Sequence, residues 1–200
     1  HPPRPAPHAP VAERLRPVVH PPRGGRAPDR ALPTPPPPLT RRAFDLLTAA
    51  GVRPLLHQPR YSLFDRRPEA ELFPLLRELQ VGGAVFSPLA QGLLTAKYLD
   101  GTVPADSRAA NSRFLNESAL TDDYLTRIRG IAAVARDAGL TIPQLAVAWV
   151  LRDPVVTTAI VGASRTGQID DALTASRATL ASETIVAREQ FAPAPGDAVA

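Results

Sequence analysis

The 200-residue sequence has no cysteine, no methionine and a single tryptophan, and among its 23 Lys and Arg residues there is one lysine, Lys97. Without cysteine there is no disulfide framework, no zinc–thiolate centre and no thiol nucleophile. No apolar run approaches the roughly 18 residues that span a bilayer, and the N-terminus lacks the apolar stretch of a signal peptide. Transmembrane and disulfide-rich classes are therefore excluded. The missing methionine, with His1 first, leads to the expectation that the chain is not a complete reading frame. A formal net charge of +4 and a pI near 10.3 raise the question of a nucleic-acid partner. Nearly all the basic residues are Arg, however, and Arg, Ala, Pro and Gly share GC-rich codons, so coding bias accounts for the excess and no nucleic acid is expected. At 44% hydrophobic residues the chain can bury a core.

Two compositions follow one another. Residues 1–40 hold 14 of the 24 prolines and no apolar periodicity. Each proline fixes φ and removes a donor, and such a stretch buries too little surface to offset its ordering entropy. It is expected to be a disordered Pro/Arg-rich segment or sequence read out of frame. A PxxP-type ligand around Pro35–Pro38, or a basic arm, is the less favoured alternative.

From Arg41 helical and strand signals alternate. Ala43–Gly51 reads as a helix closed by glycine, and Arg53–Gln58 as a strand. Leu72, Leu75, Leu76 and Leu79 place a helix over Glu69–Val81, stopped by Gly82 and Gly83, with a strand at Ala84–Phe86. Thr121 caps a helix with Asp122 and Asp123 in its first turn, and Gly139 ends it. Thr141-Ile142-Pro143-Gln144 is a capping box opening a helix that contains Trp149. Val155–Val161 is a β-branched strand and Thr166–Ala175 a helix, while the ending from Ala187 looks frayed. Strands alternating with helices predict parallel strands with crossover helices, too few for a whole eight-unit barrel. Leu145, Trp149 and Ile160 read as core, and His57 as structural because it faces away from Gln58.

Two strand-to-loop junctions suit chemistry, since barrel sites lie at the C-terminal ends of strands. They are Ser87–Gly92 after the strand Ala84–Phe86, and Gly162-Ala163-Ser164-Arg165 after Val155–Val161. The second runs into a helix, whose N–H groups, with Ser164 and Arg165, favour an anion.

The blocks HQPRYSLFDR (57–66), VFSPLAQGLLTAKYLDG (85–101), PADSRAA (104–110), RFLNESALTDDYL (113–125) and AVAWVLRDPVVTTAIVGASRTGQIDDAL (146–173) resemble the aldo/keto reductase family. The resemblance runs from about Arg41 to Ala175 and is nearest the branch of bacterial glyceraldehyde-phosphate reductases and potassium channel β subunits. It implies a partial (β/α)8 TIM barrel, strands 6–8 with their helices, as the C-terminal part (41–200) of an NADP-dependent oxidoreductase. The cofactor residues it implies are Gln58 at the carboxamide, Phe86 stacked on the nicotinamide, and Ser87, Pro88, Leu89, Gln91 and Gly92 on the pyrophosphate side. Lys97 and Arg108 would clasp the phosphates, and Gly162, Ser164, Arg165, Gln168 and Asp171 the 2′-phosphate and adenine. Ala172 departs from the Asn usual there, and Ala96 from a Gly.

The family's catalytic Tyr, Lys, Asp and His lie on strands 2–4, ahead of Arg41, and Tyr61, Tyr98 and Tyr124 do not match the catalytic position. No catalytic residue and no metal ligand is therefore assigned in this chain. The implied function is reduction of a small carbonyl substrate with NADPH in the cytoplasm, with no membrane partner and with room for an oligomer. The alternative is a non-catalytic NADP-sensing subunit. Alone, the chain is expected to be molten or insoluble and inactive, because Leu56, Val85, Phe86 and Ile160 would lose their cover.

Overall fold

The computed structural model describes residues 30–33, 36–102 and 120–198. Arg108 and the block 104–110 lie outside the described residues. Four strands form one all-parallel sheet in sequence order: β1 (Arg30–Pro33), β2 (Pro54–Gln58), β3 (Gly82–Phe86) and β4 (Val156–Ile160). The connections carry α1 (Pro37–Ala49), then α2 (Arg67–Ala70) and α3 (Leu72–Leu79), then α4 (Asp122–Asp137) and α5 (Ile142–Leu151). After β4 come α6 (Thr166–Arg177) and α7 (Ser182–Ala187). The alternation is that of a βαβ chain, and the described strands form an open arc rather than a closed barrel.

Ordered structure begins earlier than composition suggested. Strand β1 and the start of α1 fall inside the segment expected to have no structure. Pro37 and Pro38 occupy the first turn of α1, where the absent N–H would have no helical partner anyway. Pro33 closes an edge strand, where proline is tolerated. A helix start and a strand end thus lie in a proline cluster expected to be disordered.

The helix expected over Glu69–Val81 is two helices. Pro74 cannot donate to Ala70 and its ring crowds that carbonyl, so the chain breaks at Glu71 (φ −128°). The stop is Gln80, left-handed at φ 54°, whose N–H reaches the carbonyls of Leu76 and Arg77. Gly82 and Gly83 belong to β3 instead. A Cβ on Gly82 would stand 2.2 Å from Thr157 Oγ1, so glycine permits the close approach of β3 and β4. The two expected caps are present: Thr121 accepts from Tyr124 N (3.1 Å), and Thr141 and Gln144 bond reciprocally.

One main core lies between the sheet and α3, α4 and α5. Leu76, Val85, Ile128, Ile131, Leu145 and Trp149 are among its fully buried members. Val85 therefore keeps its cover in this chain; Leu56 and Phe86 are partly covered, and Ile160 is 45% exposed. His57 is buried as a structural residue, with Nε2 3.2 Å from Thr40 Oγ1 on α1. Burial pulls its pKa down to about 4.

The ending expected to fray packs back on the fold. Arg66 N donates to Asp197 O (2.8 Å), Gly196 N to Arg66 O (3.0 Å), and Arg66 Nη1 to Pro193 O (3.1 Å). Phe191 lies over Gly130 of α4, where an added Cβ would come within 2.3 Å of its ring. A buried guanidinium needs acceptors, and the C-terminal segment brings them.

Candidate functional site

Strands β3 and β4 are paired so that Phe86 faces Ile160 across the register. Parallel strands of equal reach deliver both following loops to one edge, and there they enclose a cavity of about 500 Å³. Its wall is made by Phe86 and the Ser87–Gly92 loop on one side and by Ile160–Ser164 and Gln168 on the other. Thr95, Lys97 and Tyr98 complete it, and Lys97 is its one charged residue among the described residues.

The first loop is held in a shape that few side chains favour. Ser87 (φ 55°), Ala90 (φ 46°) and Gln91 (φ 60°) are left-handed without being glycine, and Gly92 follows at φ 104°. Each such residue costs on the order of 1–3 kcal/mol and persists only where its surroundings dictate it. Ala90 N and Gly92 N bond to Ser87 O and Leu89 O, and Leu94 N returns to Leu89 O. Thr95 Oγ1 donates to Gly92 O (2.7 Å), while Tyr124 on α4 donates to Leu93 O (2.8 Å). Ala90, Leu93 and Leu94 are buried beneath, so the loop is clamped from below while Ser87, Gln91 and Gly92 face the cavity. Thr95 also accepts from Lys97 N, opening the short turn that presents Lys97 to solvent.

The second loop ends at the N-terminus of α6, where three donors converge on a single oxygen. Gln168 Oε1 accepts from Ser164 N (2.7 Å), Ser164 Oγ (3.3 Å) and Arg165 N (3.3 Å). Backbone N–H groups at a helix start carry the positive end of the helix dipole, so an acceptor there is favoured, and more so a charged one. The chain's own amide supplies that acceptor here. A phosphate oxygen meets the same donor set, with Arg165 exposed beside it and Lys97 across the cavity. By donor chemistry this end fits a phosphorylated ligand.

Of the residues singled out from sequence, Phe86, Ser87, Pro88, Leu89, Gln91, Gly92, Lys97, Gly162, Ser164 and Gln168 all line this one cavity. Gln58 ends β2 without lining it, and Arg165 caps α6 just outside. Asp171 is turned away, its carboxylate accepting from Gln144 Nε2 of α5 (2.7 Å), a helix-to-helix tie. Ile160, read as core, instead forms cavity wall together with Val161, Ala163, Thr95 and Tyr98. Parity could have placed Ile160 there, because it pairs with Phe86. Nothing local to Thr95 or Tyr98 marks them.

The other two tyrosines are structural. Tyr61 is buried, donates to Glu69 (2.6 Å) and accepts from Arg152 (3.2 Å), and burial drives its pKa upward. Tyr124 is committed to Leu93 O, its pKa also raised by burial.

The family model described as the aldo/keto reductase family matches residues 39–192. A probable voltage-gated potassium channel subunit beta of Arabidopsis thaliana is 40% identical over 132 residues, 64% of this chain and 40% of that protein. The L-glyceraldehyde 3-phosphate reductase of Escherichia coli K12 is 34% identical over 169 residues, 82% of this chain and 49% of its own length. A putative channel subunit beta of Schizosaccharomyces pombe is 38% identical over 123 residues, covering 59% of this chain and 36% of that protein. The chain thus spans less than half the length of the relatives it matches.

Proposed function

Because the chain belongs to the aldo/keto reductase family, we propose that its cavity holds NADP(H) within a larger reductase acting on small aldehydes or ketones. The family uses NAD(P)H, and when bound the nicotinamide supplies a hydride. The observation that carries the reading is the shared cavity of the β3 and β4 loops, with ten of the expected cofactor residues in its wall.

Each part of the wall has a task. Phe86 offers an apolar face at a strand end, where a planar ring can lie with water excluded. The rigid Ser87–Gly92 loop exposes backbone close to the ligand without the obstruction of long side chains. Lys97 supplies a cation for a phosphate, and Ser164 with the N–H groups of α6 supplies neutral donors at the other end. Arg165, a planar fork beside those donors, is the basis for preferring the 2′-phosphate of NADP over NAD. Gln168 must give up its hold on Ser164 and Arg165 when a phosphate oxygen takes those donors.

Carbonyl reduction also needs a proton for the forming alkoxide, and a positioned acid contributes about 10²–10⁴-fold. By the family pattern that acid belongs to strands absent from this sequence, and the committed hydroxyls of Tyr61 and Tyr124 do not replace it. The 200-residue chain is therefore proposed to bind the dinucleotide without sustained turnover. A second reading, a nicotinamide-binding subunit that senses rather than reduces, draws on the 40% identity to the Arabidopsis protein.

Isothermal titration of the chain with NADPH, NADP and NADH tests the binding claim. Expected is tighter binding of the two phosphorylated forms, weakened by Arg165→Ala. Equal affinity for NADH would remove the 2′-phosphate assignment. Steady turnover of an aldehyde by the full-length protein would exclude the sensing reading.

A further inference from the structure

Trp149, the chain's one tryptophan, is fully buried in α5 and surrounded by guanidinium groups. The Arg152, Arg188 and Arg66 guanidinium carbons lie 3.8, 4.3 and 5.6 Å from its ring centroid. Two carboxylates serve all three. Glu69 takes Arg66 (2.7 Å), stands 3.7 Å from Arg152 Nη2 and accepts from Tyr61. Glu189 bridges Arg66 Nη1 (2.6 Å) and Arg188 Nη2 (2.5 Å). Among the described residues, three cations against two anions leave the cluster with one positive charge in excess.

The surplus belongs to the cluster as a whole, since Arg188 pairs with Glu189 through Nη2, but the donors left free have a definite place. Arg188 is 0% exposed, and its Nε and Nη1 are buried with no hydrogen-bond partner among the described residues. Trp149 Nε1 is in the same condition. All three atoms are donors only, because neither indole nor guanidinium nitrogen accepts. Burial lowers the Arg188 pKa to about 10, which leaves it ionised at neutral pH. A buried charge and buried donors without partners each carry a large desolvation penalty. Water could accept from these donors, but it would not match the charge. A divalent phosphate would overshoot it.

We propose that the Trp149–Arg188 cluster binds a small monovalent anion of halide size, accepted by the free N–H groups of Arg188 with the indole N–H. The site is separate from the dinucleotide cavity, whose wall includes none of Trp149, Arg66, Arg152 or Arg188. It joins α5, the loop after β2 and the C-terminal segment, so an anion there fastens the chain's end to its core. Binding to the folded state alone then makes stability depend on the anion's identity and not merely on ionic strength.

The lone tryptophan reports directly. Trp149 emission of the full chain is titrated with iodide at constant ionic strength, balanced by gluconate, which is too large for a buried site. Expected is quenching that saturates and that chloride reverses, with little quenching by neutral acrylamide, and a Tm that rises when chloride replaces gluconate. Arg188→Leu, of similar bulk without donors or charge, abolishes both the saturable component and the chloride dependence of Tm. Should that variant not fold, the competition between chloride and iodide in the unaltered chain still decides. Linear or absent iodide quenching, or a Tm indifferent to the exchange of chloride for gluconate, overturns the proposal.

Discussion

Replacing Gly130 by alanine should destabilise this protein, although an exposed helix interior would gain from it. Gly130 sits in the middle of α4, where Gly→Ala ordinarily stabilises by about 1 kcal/mol. Here the new Cβ would stand 2.3, 2.3 and 2.5 Å from Cδ1, Cε1 and Cζ of Phe191. A ring cannot yield along three atoms at once, so Phe191 must leave α4. Full burial of such a side chain is worth about 1.5–3 kcal/mol, and Phe191 is only partly buried, so its eviction forfeits roughly half of that. The displaced segment also carries Glu189 and Pro193, both acceptors for Arg66. Losing acceptors for that buried guanidinium adds about 1–3 kcal/mol. The losses outweigh the helix gain, giving a net cost of about 1–3.5 kcal/mol. The sign must reverse once the ring is gone: in a Phe191→Ala background, Gly130→Ala should stabilise by about 1 kcal/mol. Urea midpoints for the four proteins of the double-mutant cycle measure this, and hydrogen exchange of residues 183–198 shows whether the segment has undocked. Equal, stabilising effects of Gly130→Ala in both backgrounds would refute the reasoning.

Three further outcomes are expected. His57 has a folded pKa of about 4 against an ordinary 6.5, so the folded state resists protonation. The stability it contributes, about 3 kcal/mol by linkage, is complete above pH 6.5 and drains away as pH falls toward 4. Glu69, whose carboxyl is held below its usual range by the hydrogen bonds from Arg66 and Tyr61 against an opposing desolvation, adds acid sensitivity only below about pH 4.5. Urea midpoints between pH 6.5 and 4.5 should therefore fall in the native chain and flatten in His57→Gln. Lys97→Ala or Ser164→Ala should weaken NADPH binding by roughly 10–100-fold without altering Tm, because a charge-assisted bond is worth about 1.5–3 kcal/mol and both side chains sit at the cavity surface; unchanged titrations would remove them from the site. Gly82→Ala, driven 2.2 Å from Thr157 Oγ1, should lower stability by about 1–3 kcal/mol, and Thr157→Ala should return part of it. A Gly82→Ala protein as stable as its parent would mean that β3 and β4 can part without cost.

The local signals in the sequence were strong because they act over three or four residues. Thr121, Thr141 and Gln144 capped the helices they were expected to cap, and the alternation of strands and helices set an all-parallel sheet. The family resemblance went further, since motifs 70 residues apart, Ser87–Gly92 and Gly162–Gln168, do meet at one cavity. What the sequence left undecided depended on which distant groups came to rest together. Pro35–Pro38 belonged to a segment expected to have no structure, and only packing against β2 and α3 makes its second half a helix start. The ending looked frayed because its few apolar residues have no period. It is ordered because Arg66, 127 residues earlier than Pro193, is buried and requires acceptors. The left-handed backbone at Ser87, Ala90 and Gln91 carries no glycine to announce it; Leu93, Leu94 and the Tyr124 hydroxyl impose it from below. Capping and periodicity are written along the chain, whereas the burial of a charge or the strain of a loop is a property of the space that other segments enclose, and the tertiary structure alone decides it.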